Sequence, residues 1–497
     1  MSNQNYQNMP SPDLSNVQAA PYYYEQPQPY EEVTTTTTVE TPPASPLAKN
    51  RRLLIIGLVV FGLILLLILV FSLLSRGGTG TTNTTTPTTQ NVILQFRGAF
   101  ISAEAMQPLL DEYTALNPNV KIEYADKWPQ GAFKDASAIY KSEINRVLRE
   151  NDSVNIPDIF MVNNSWTGDY EKFTKVSNNI DFQTFNSIFY PAAVEDFTNG
   201  TSVYGVPLWM DTLAVLYNKD ILNANSIQQP STNWVEFKRQ AQTLTTREGG
   251  QIKVAGFASG NMDNVSFGFE LANVLLLQNG VEILNAQDQP VFATFNEAIP
   301  ALQYFQSFQN DSSSTWNSTL KNDSAAFLES KVAMIVSTSY RYRDILKYNQ
   351  AYNINLNIGV SQLPQITGQS QPIINFADYW GAMVSDARGN GTYAWNFLQW
   401  LTQPEQLRKL SDNIAAQTES FGILYPRRDM AQILQTDPDL GIFNESLPYA
   451  QSWYMVNGTK VREEFTKIFQ GGGNVNQGQV TQLQTAVQTI ITNKGQI

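Results

Sequence analysis

Thirteen side chains in this sequence are spaced to grip a small polar molecule. They fall in short loops that follow apolar runs: Arg97 and Phe100, Asn163 and Trp166, Trp209 and Asp211, Asn261, Tyr340 and Arg341, Asp378 and Trp380, Tyr425, and Trp453. In open α/β sheets ligands bind beyond the carboxyl ends of the strands, so loops of this kind are the candidates. Their enrichment in tryptophan and tyrosine narrows the chemistry. A sugar ring has apolar C–H faces and a polar hydroxyl rim; flat aromatic surfaces cover the faces, while carboxylates, amides and guanidinium groups bond the rim. Trp166, Trp209, Trp380 and Trp453 stand at strand-to-loop junctions, where ligand contact and ordinary packing compete evenly. Trp234, Trp395 and Trp400 follow helical spacing and read as core. Asp211 is embedded in the apolar run Gly205–Leu222 (GVPLWMDTLAVLYNKDIL) and needs partners, either a ligand hydroxyl or a hydrogen bond between lobes. Arg341 and Arg343 are the right type to hold an anion, against the plainer reading as helix-surface charges.

Composition removes other chemistries. The chain has 497 residues with no cysteine and no histidine. Disulfides, Cys/His metal sites and Ser-His or Cys-His nucleophile pairs are therefore excluded. No Gly-x-x-x-x-Gly-Lys phosphate loop occurs, no metal site is evident, and nothing calls for a cofactor. The net charge of −12, without Lys/Arg clusters, argues against nucleic acid as a partner. Glycoside hydrolysis needs two carboxylates across a cleft; Asp211 and Asp378 are the pair to consider, but any two-lobed protein offers such pairs.

The elements that must position these residues begin at Asn91. Val92–Phe96 reads as a strand. Ser102 is placed to cap a helix whose Met106, Leu109, Leu110, Tyr113 and Leu116 share one face. Val120, Ile122 and Tyr124 then alternate as a strand, which makes a β-α-β unit with a parallel sheet as its product. A helix near Ile139–Leu148 and the strand Pro157–Val162 follow. Some 400 residues of alternating strands and helices exceed one core and predict two α/β lobes.

Before Asn91 the texture differs. Residues 1–52 form a polar tail, rich in Pro, Tyr and Thr, that is expected to stay disordered in the cytoplasm. Leu53–Leu74 is uncharged over 22 residues, long enough for one transmembrane helix across a core roughly 30 Å thick. Lys49, Arg51 and Arg52 precede it and Arg76 follows, so the positive-inside rule sends the C-terminal part outside the cell. The length of the apolar core and the lack of a small-x-small site predict an uncleaved signal-anchor. Residues 75–90 read as a threonine-rich stalk, about 20 Å long as a coil.

Several motifs, in order, resemble those of the extracellular solute-binding proteins of ABC importers, in the group of maltose- and oligosaccharide-binding proteins. Gly205–Leu222 resembles the first crossover between the lobes, and Pro157–Val162 the strand ending at the cleft. Asn233-Trp-Val-Glu-Phe resembles a helix start, with Asn233 as N-cap and Glu236 as its capping-box partner. Ala326–Val336 resembles the approach to a second crossover, with Ser330 where the family writes glycine. Ile358–Pro364 and Tyr379–Met383 resemble the third crossover, and Ala394–Glu405 the helix ending "fltspe". Phe421–Arg428 and Ser452–Val456 resemble two cleft loops. The resemblance implies a periplasmic-binding-protein-like fold with crossings near 208–215, 333–340 and 373–382. It implies lobe one over 91–207 and 340–375, lobe two over 216–332 and 383–497, and hinge closure on a ligand. The implied function is non-enzymatic: a monomer, anchored to the membrane by one N-terminal helix, captures a sugar or oligosaccharide and delivers it to an ABC permease. A surface sensor or adhesion module on the same fold, or a carbohydrate-active enzyme, are the alternatives.

Overall fold

The computed structural model describes residues 91–129, 136–150, 155–310, 312–366, 373–418, 421–470 and 473–493. The tail, the apolar segment Leu53–Leu74 and the stalk lie outside the described residues. Among the described residues, no helix is long and apolar enough to cross a membrane.

Two five-stranded mixed sheets organise the chain. The first contains β1 (Val92–Gly98), β2 (Val120–Asp126), β3 (Ile159–Asn163), β4 (Gly205–Pro207) and β10 (Trp380–Val384), in the order β2-β1-β3-β10-β4. The second contains β5 (Ala214–Asn218), β6 (Thr246–Glu248), β7 (Gln251–Phe257), β8 (Val332–Ser337) and β9 (Ile358–Gln362), in the order β9-β5-β8-β7-β6. The expected β-α-β unit is present: β1 and β2 pair in parallel across the helix Ala103–Leu116, and Ser102 Oγ accepts the N–H of Ala105. That helix buries Met106, Leu109, Leu110 and Tyr113, the face its spacing predicts, and leaves Leu116 exposed. Asn233 caps its helix through the N–H groups of Val235 and Glu236. The reciprocal half of the capping box is not made, because the Glu236 carboxylate turns to Arg239, three residues on. Ser330 adopts φ +55°, the left-handed region that glycine enters at no steric cost.

The lobes divide the chain differently from the expected partition. Ile358–Gln362 was expected in lobe one, yet β9 pairs antiparallel with β5 from Ile358↔Asn218 to Gln362↔Ala214, so this stretch stays in the second lobe. No crossing occurs at 333–340: β8, the helix Ser339–Ala351 and β9 follow one another while both strands remain in one sheet. Conversely, Trp380–Val384 and the helices Gly391–Leu401 and Pro404–Thr418 belong with the first sheet. Phe397 and Trp400 pack on Tyr113, and Lys409 bonds Glu112 at 2.9 Å. The chain returns to the second lobe after Ala450, where Trp453, Met455 and Val456 join its core with the helices Gly458–Gln470 and Gln477–Thr492.

The crossings are therefore Leu208–Leu213, Phe376–Tyr379 and Ala450–Ser452, and they run side by side. Asn375–Phe376 pairs in parallel with Ala450–Gln451. The Asn375 side chain bonds both backbone groups of Leu213, accepting its N–H at 3.0 Å and donating to its carbonyl at 2.8 Å. Within the second lobe β7 lies hard against the helix Trp234–Leu244. A Cβ at Gly256 would fall 1.8 Å from the carbonyl oxygen of Ala241. Because backbone cannot yield as a flexible side chain does, Gly256→Ala is expected to destabilise the fold by about 1–3 kcal/mol, read as a lower midpoint in urea unfolding.

Candidate functional site

A cavity of about 450 Å³ opens between the two lobes, beside the crossings, within the roughly 300–1,000 Å³ usual for small-molecule sites. Nine of the thirteen sequence candidates line it: Phe100, Asn163, Trp166, Trp209, Asp211, Tyr340, Arg341, Asp378 and Trp380. The strand-end rule works because β1, β3, β8 and the Phe376–Tyr379 crossing all deliver their following loops to this cleft.

Its first wall is aromatic. Trp380 stands edge-to-face against Phe100, Trp166 and Trp128, with ring centroids 4.8, 5.0 and 5.7 Å away. Phe100 leans over Trp128 at 3.7 Å and meets Tyr340 at 5.2 Å. Phe100 also has φ +65°, a conformation that costs a residue with a Cβ roughly 1–2 kcal/mol. Strain of this kind persists where the surroundings hold it, and such places cluster at functional sites.

The second wall carries charge. Glu270 is buried and receives both terminal nitrogens of Arg462, whose guanidinium lies over the Phe269 ring at 4.6 Å. Asp378 accepts a 2.9 Å hydrogen bond from Asn163 Nδ2. Desolvation by burial and the charge of Glu270, which the Asn163 hydrogen bond and the Arg462 charge only partly offset, push the Asp378 carboxyl up to about 6.

Asp211 resolves differently from a ligand-binding carboxylate in waiting. Its Oδ1 accepts the N–H groups of Thr212 and Ser339, and its Oδ2 accepts Ser339 Oγ and the N–H of Tyr340, at 2.8–3.0 Å. It therefore caps the start of the helix Ser339–Ala351 while belonging to the first crossing. Its carbonyl receives the Asp378 N–H at 3.3 Å, which ties in the second crossing. Burial pushes this carboxyl up to about 7 even against those four donors. Asp196 plays the matching part on the other side of the crossings. Its Oδ2 accepts Asn164 Nδ2, Tyr379 Oη at 2.6 Å and Ser452 Oγ at 2.7 Å, while its buried Oδ1 has no hydrogen-bond partner among the described residues. Burial raises it to about 7 as well.

Four candidates lie elsewhere. Arg97 reaches the carbonyl of Asn155 at 3.4 Å and does not line the cavity. Asn261 is buried and closes its own turn, accepting the N–H groups of Asp263 and Asn264 and donating to Gln309. Tyr425 packs with Leu407 and Met430 in a small cluster of its own. Trp453 donates Nε1 to Asn273 at 2.9 Å inside the second-lobe core. Arg343 is also spoken for, donating to the Gly422 carbonyl at 3.2 Å and facing the Tyr340 ring. Trp234 and Trp395 are core residues, as their helical spacing predicts.

Sequence reasoning missed Trp128, Ser266, Phe267, Phe269, Glu270 and Arg462, all of which line the cleft. Trp128 carried a usable signal, standing two residues past the end of β2. Glu270 did too, as a lone carboxylate in the apolar run Gly268–Leu277. Arg462 did not, since 192 positions separate it from its partner.

Two α/β lobes, joined by adjacent crossings and bordering an aromatic and polar cleft, define a solute-binding protein fold. Residues 109–419 match the model of the bacterial extracellular solute-binding protein family, and the chain belongs to that family. Among solved structures the fold is similar to the sugar-binding protein MalE of Xanthomonas citri, at 18% identity over 81% of this chain and 98% of that one, with a TM-score of 0.64. It is similar to the cyclic α-maltosyl-1,6-maltose binding protein of Arthrobacter globiformis, at 18% identity over 81% and 99%, TM-score 0.63. It is also similar to an ABC substrate-binding protein of Listeria monocytogenes in complex with cycloalternan, at 17% identity over 81% and 100%, TM-score 0.61. At these identities the likeness is one of fold. No curated protein matches the chain.

The two raised carboxyls fix a pH response. An unfolded aspartate ionises near 4, whereas Asp196 and Asp211 ionise near 7 in the fold. Between those values the folded state holds more protons. The stability they contribute is thus fully present below about pH 4 and is lost as pH rises through 7. Asp196→Asn keeps an acceptor oxygen for Asn164, Tyr379 and Ser452 and cannot ionise. It is expected to melt like the wild type at pH 4 and above it at pH 8; a lower melting temperature at pH 8 would rule this out. Asp211→Ala strands the N–H groups of Ser339 and Tyr340 and is expected to cost about 3 kcal/mol or more in equilibrium unfolding.

Proposed function

We propose that this chain is a receptor for an uncharged oligosaccharide, held outside the cell by its N-terminal segment and serving an ABC permease. The observation that carries the reading is the cleft itself. Five aromatic rings gather on one wall, with hydrogen-bonding groups from Asn163, Asp378, Ser266 and Arg341 opposite and beside them. That combination suits a ligand with apolar faces and a hydroxyl rim. The sugars named for the fold's relatives, cycloalternan and cyclic maltosyl-maltose among them, support the same ligand class. The site borders the crossings, so a ligand touching both walls favours the conformation in which the lobes approach.

Binding is favoured over glycoside hydrolysis by the state of the carboxyls. Hydrolysis asks for one free acid and one free base or nucleophile. Asp211 is occupied by four donors and Glu270 by Arg462. The charge pattern around Leu53–Leu74 supports a signal-anchor with the solute-binding domain outside, delivering its cargo to a separately encoded permease.

Calorimetry with a panel of mono- and oligosaccharides tests the ligand class. At least one oligosaccharide is expected to bind, and Trp128→Ala to weaken it by about tenfold through loss of ring contact. Silence toward every sugar, together with clear thermal stabilisation by a peptide or an inorganic ion, would overturn it.

A further inference from the structure

Resting on the oligosaccharide reading, we propose that Asp378 is the specificity-determining residue of the cleft: its open carboxylate oxygen accepts a hydrogen bond from a ligand hydroxyl and turns away saccharides that carry carboxylate groups. Asp378 lines the cavity from the second crossing, next to Trp380. The hydrogen bond that its carboxyl makes among the described residues is the one Oδ1 accepts from Asn163, which leaves Oδ2 without one on a residue that lines the cleft. Each other carboxyl there is engaged. Asp211 is bound by four donors, and Glu270 by Arg462.

The cations of the cleft do not restore a welcome for an anion. Arg462 is committed to Glu270. The Arg341 guanidinium lies 4.0 Å from Asp344 and in the field of the buried Asp323. Among the described residues its Nε has no hydrogen-bond partner, so it has an N–H to offer a hydroxyl oxygen. Three carboxylates thus face two opposed guanidinium groups across one cavity. A ligand carboxylate brought to Asp378 would lose its water and meet like charge in a medium less screening than water. A hydroxyl there meets an acceptor.

Position links this contact to closure. The backbone N–H of Asp378 bonds the carbonyl of Asp211 in the first crossing, and the next residue, Tyr379, donates its hydroxyl to Asp196. A ligand hydroxyl on Asp378 is therefore held by a segment that passes from one lobe to the other.

Calorimetry on the full-length protein, with maltotetraose and mannotriose as neutral probes and tetragalacturonate as the acidic one, tests the proposal. The wild type is expected to bind a neutral probe and not the acidic one. Asp378→Asn, checked by thermal melting, is expected to weaken neutral binding by about tenfold or more and to narrow the preference for neutral over acidic. A loss through mere misfolding would lower neutral binding with no gain of the acidic probe. Wild-type binding of tetragalacturonate as tight as that of the neutral probes overturns the proposal, and this comparison decides it even if the variant does not fold. An unchanged affinity and preference in a folded Asp378→Asn overturns it too. Silence toward all three, and toward every other sugar, sinks the oligosaccharide reading and this inference with it.

Discussion

The fold depends on how three adjacent chain crossings are held in register, and a buried carboxylate does most of that work. Asp211 sits in an apolar run, where an unpartnered carboxylate would cost several kcal/mol. Its four donors come from its own crossing and from the first turn of the helix Ser339–Ala351. That helix start offers unpaired N–H groups and the positive end of the helix dipole, the natural seat for a negative group. One residue thereby satisfies a helix terminus in the second lobe, fixes the path of the first crossing and, through its carbonyl, holds the second crossing. Asp196 binds the second and third crossings from the first lobe, through Tyr379 and Ser452. Distances change least near the axis of a rotation, so these bonds suit a hinge that turns while its strands stay joined.

The aromatic wall of the cleft is arranged by the same crossings. Trp380 follows the second crossing directly and is wedged edge-on by Phe100, Trp128 and Trp166, all from the first lobe. The charged pair Glu270–Arg462 comes from two helices of the second lobe that pack through Phe269 and Phe465. The larger part of the aromatic wall comes from the first lobe, the Glu270–Arg462 pair comes from the second, and Tyr340, Phe267 and Phe269 add rings on the second-lobe side, so a ligand reaches the whole set only where the lobes meet. Under the receptor reading proposed above, this is what couples affinity to closure: a ligand shifts the equilibrium only through contacts that differ between the two arrangements.

What the sequence made legible was local. Alternation in Val120–Tyr124, the helical face of Ala103–Leu116 and the caps at Ser102 and Asn233 all depend on neighbours within one turn. The strand-end loops were legible for the same reason. Trp453 shows the limit: it has the same local setting as Trp380, yet it finds Asn273 in the core, 180 positions away. The lobe partition failed on a comparable point. Whether Ile358–Gln362 joins one sheet or the other is decided by which edge strand offers free backbone groups, and β5 does. Motif order carries no information about that choice. Asp211 was recognisable as a carboxylate in need of partners, but not as the cap of a helix that starts 128 residues later.

A second contact between the lobes shows why opening need not be costly. Lys141 and Asp169, both in the first lobe, form a 2.7 Å ion pair with side chains 8% and 1% exposed. Asn457 of the second lobe joins them, accepting from Lys141 Nζ at 3.2 Å and donating its N–H to Asp169 at 2.9 Å. Gly458 lets the backbone approach this closely, since a Cβ there would lie 2.6 Å from Ser165. Splitting a buried ion pair costs several kcal/mol because it strands a charge. Here both charges remain in one lobe, so withdrawal of Asn457 gives up two hydrogen bonds and strands neither. Water can replace those bonds at little net loss. The contact therefore sets where the lobes meet without setting a high barrier to their parting.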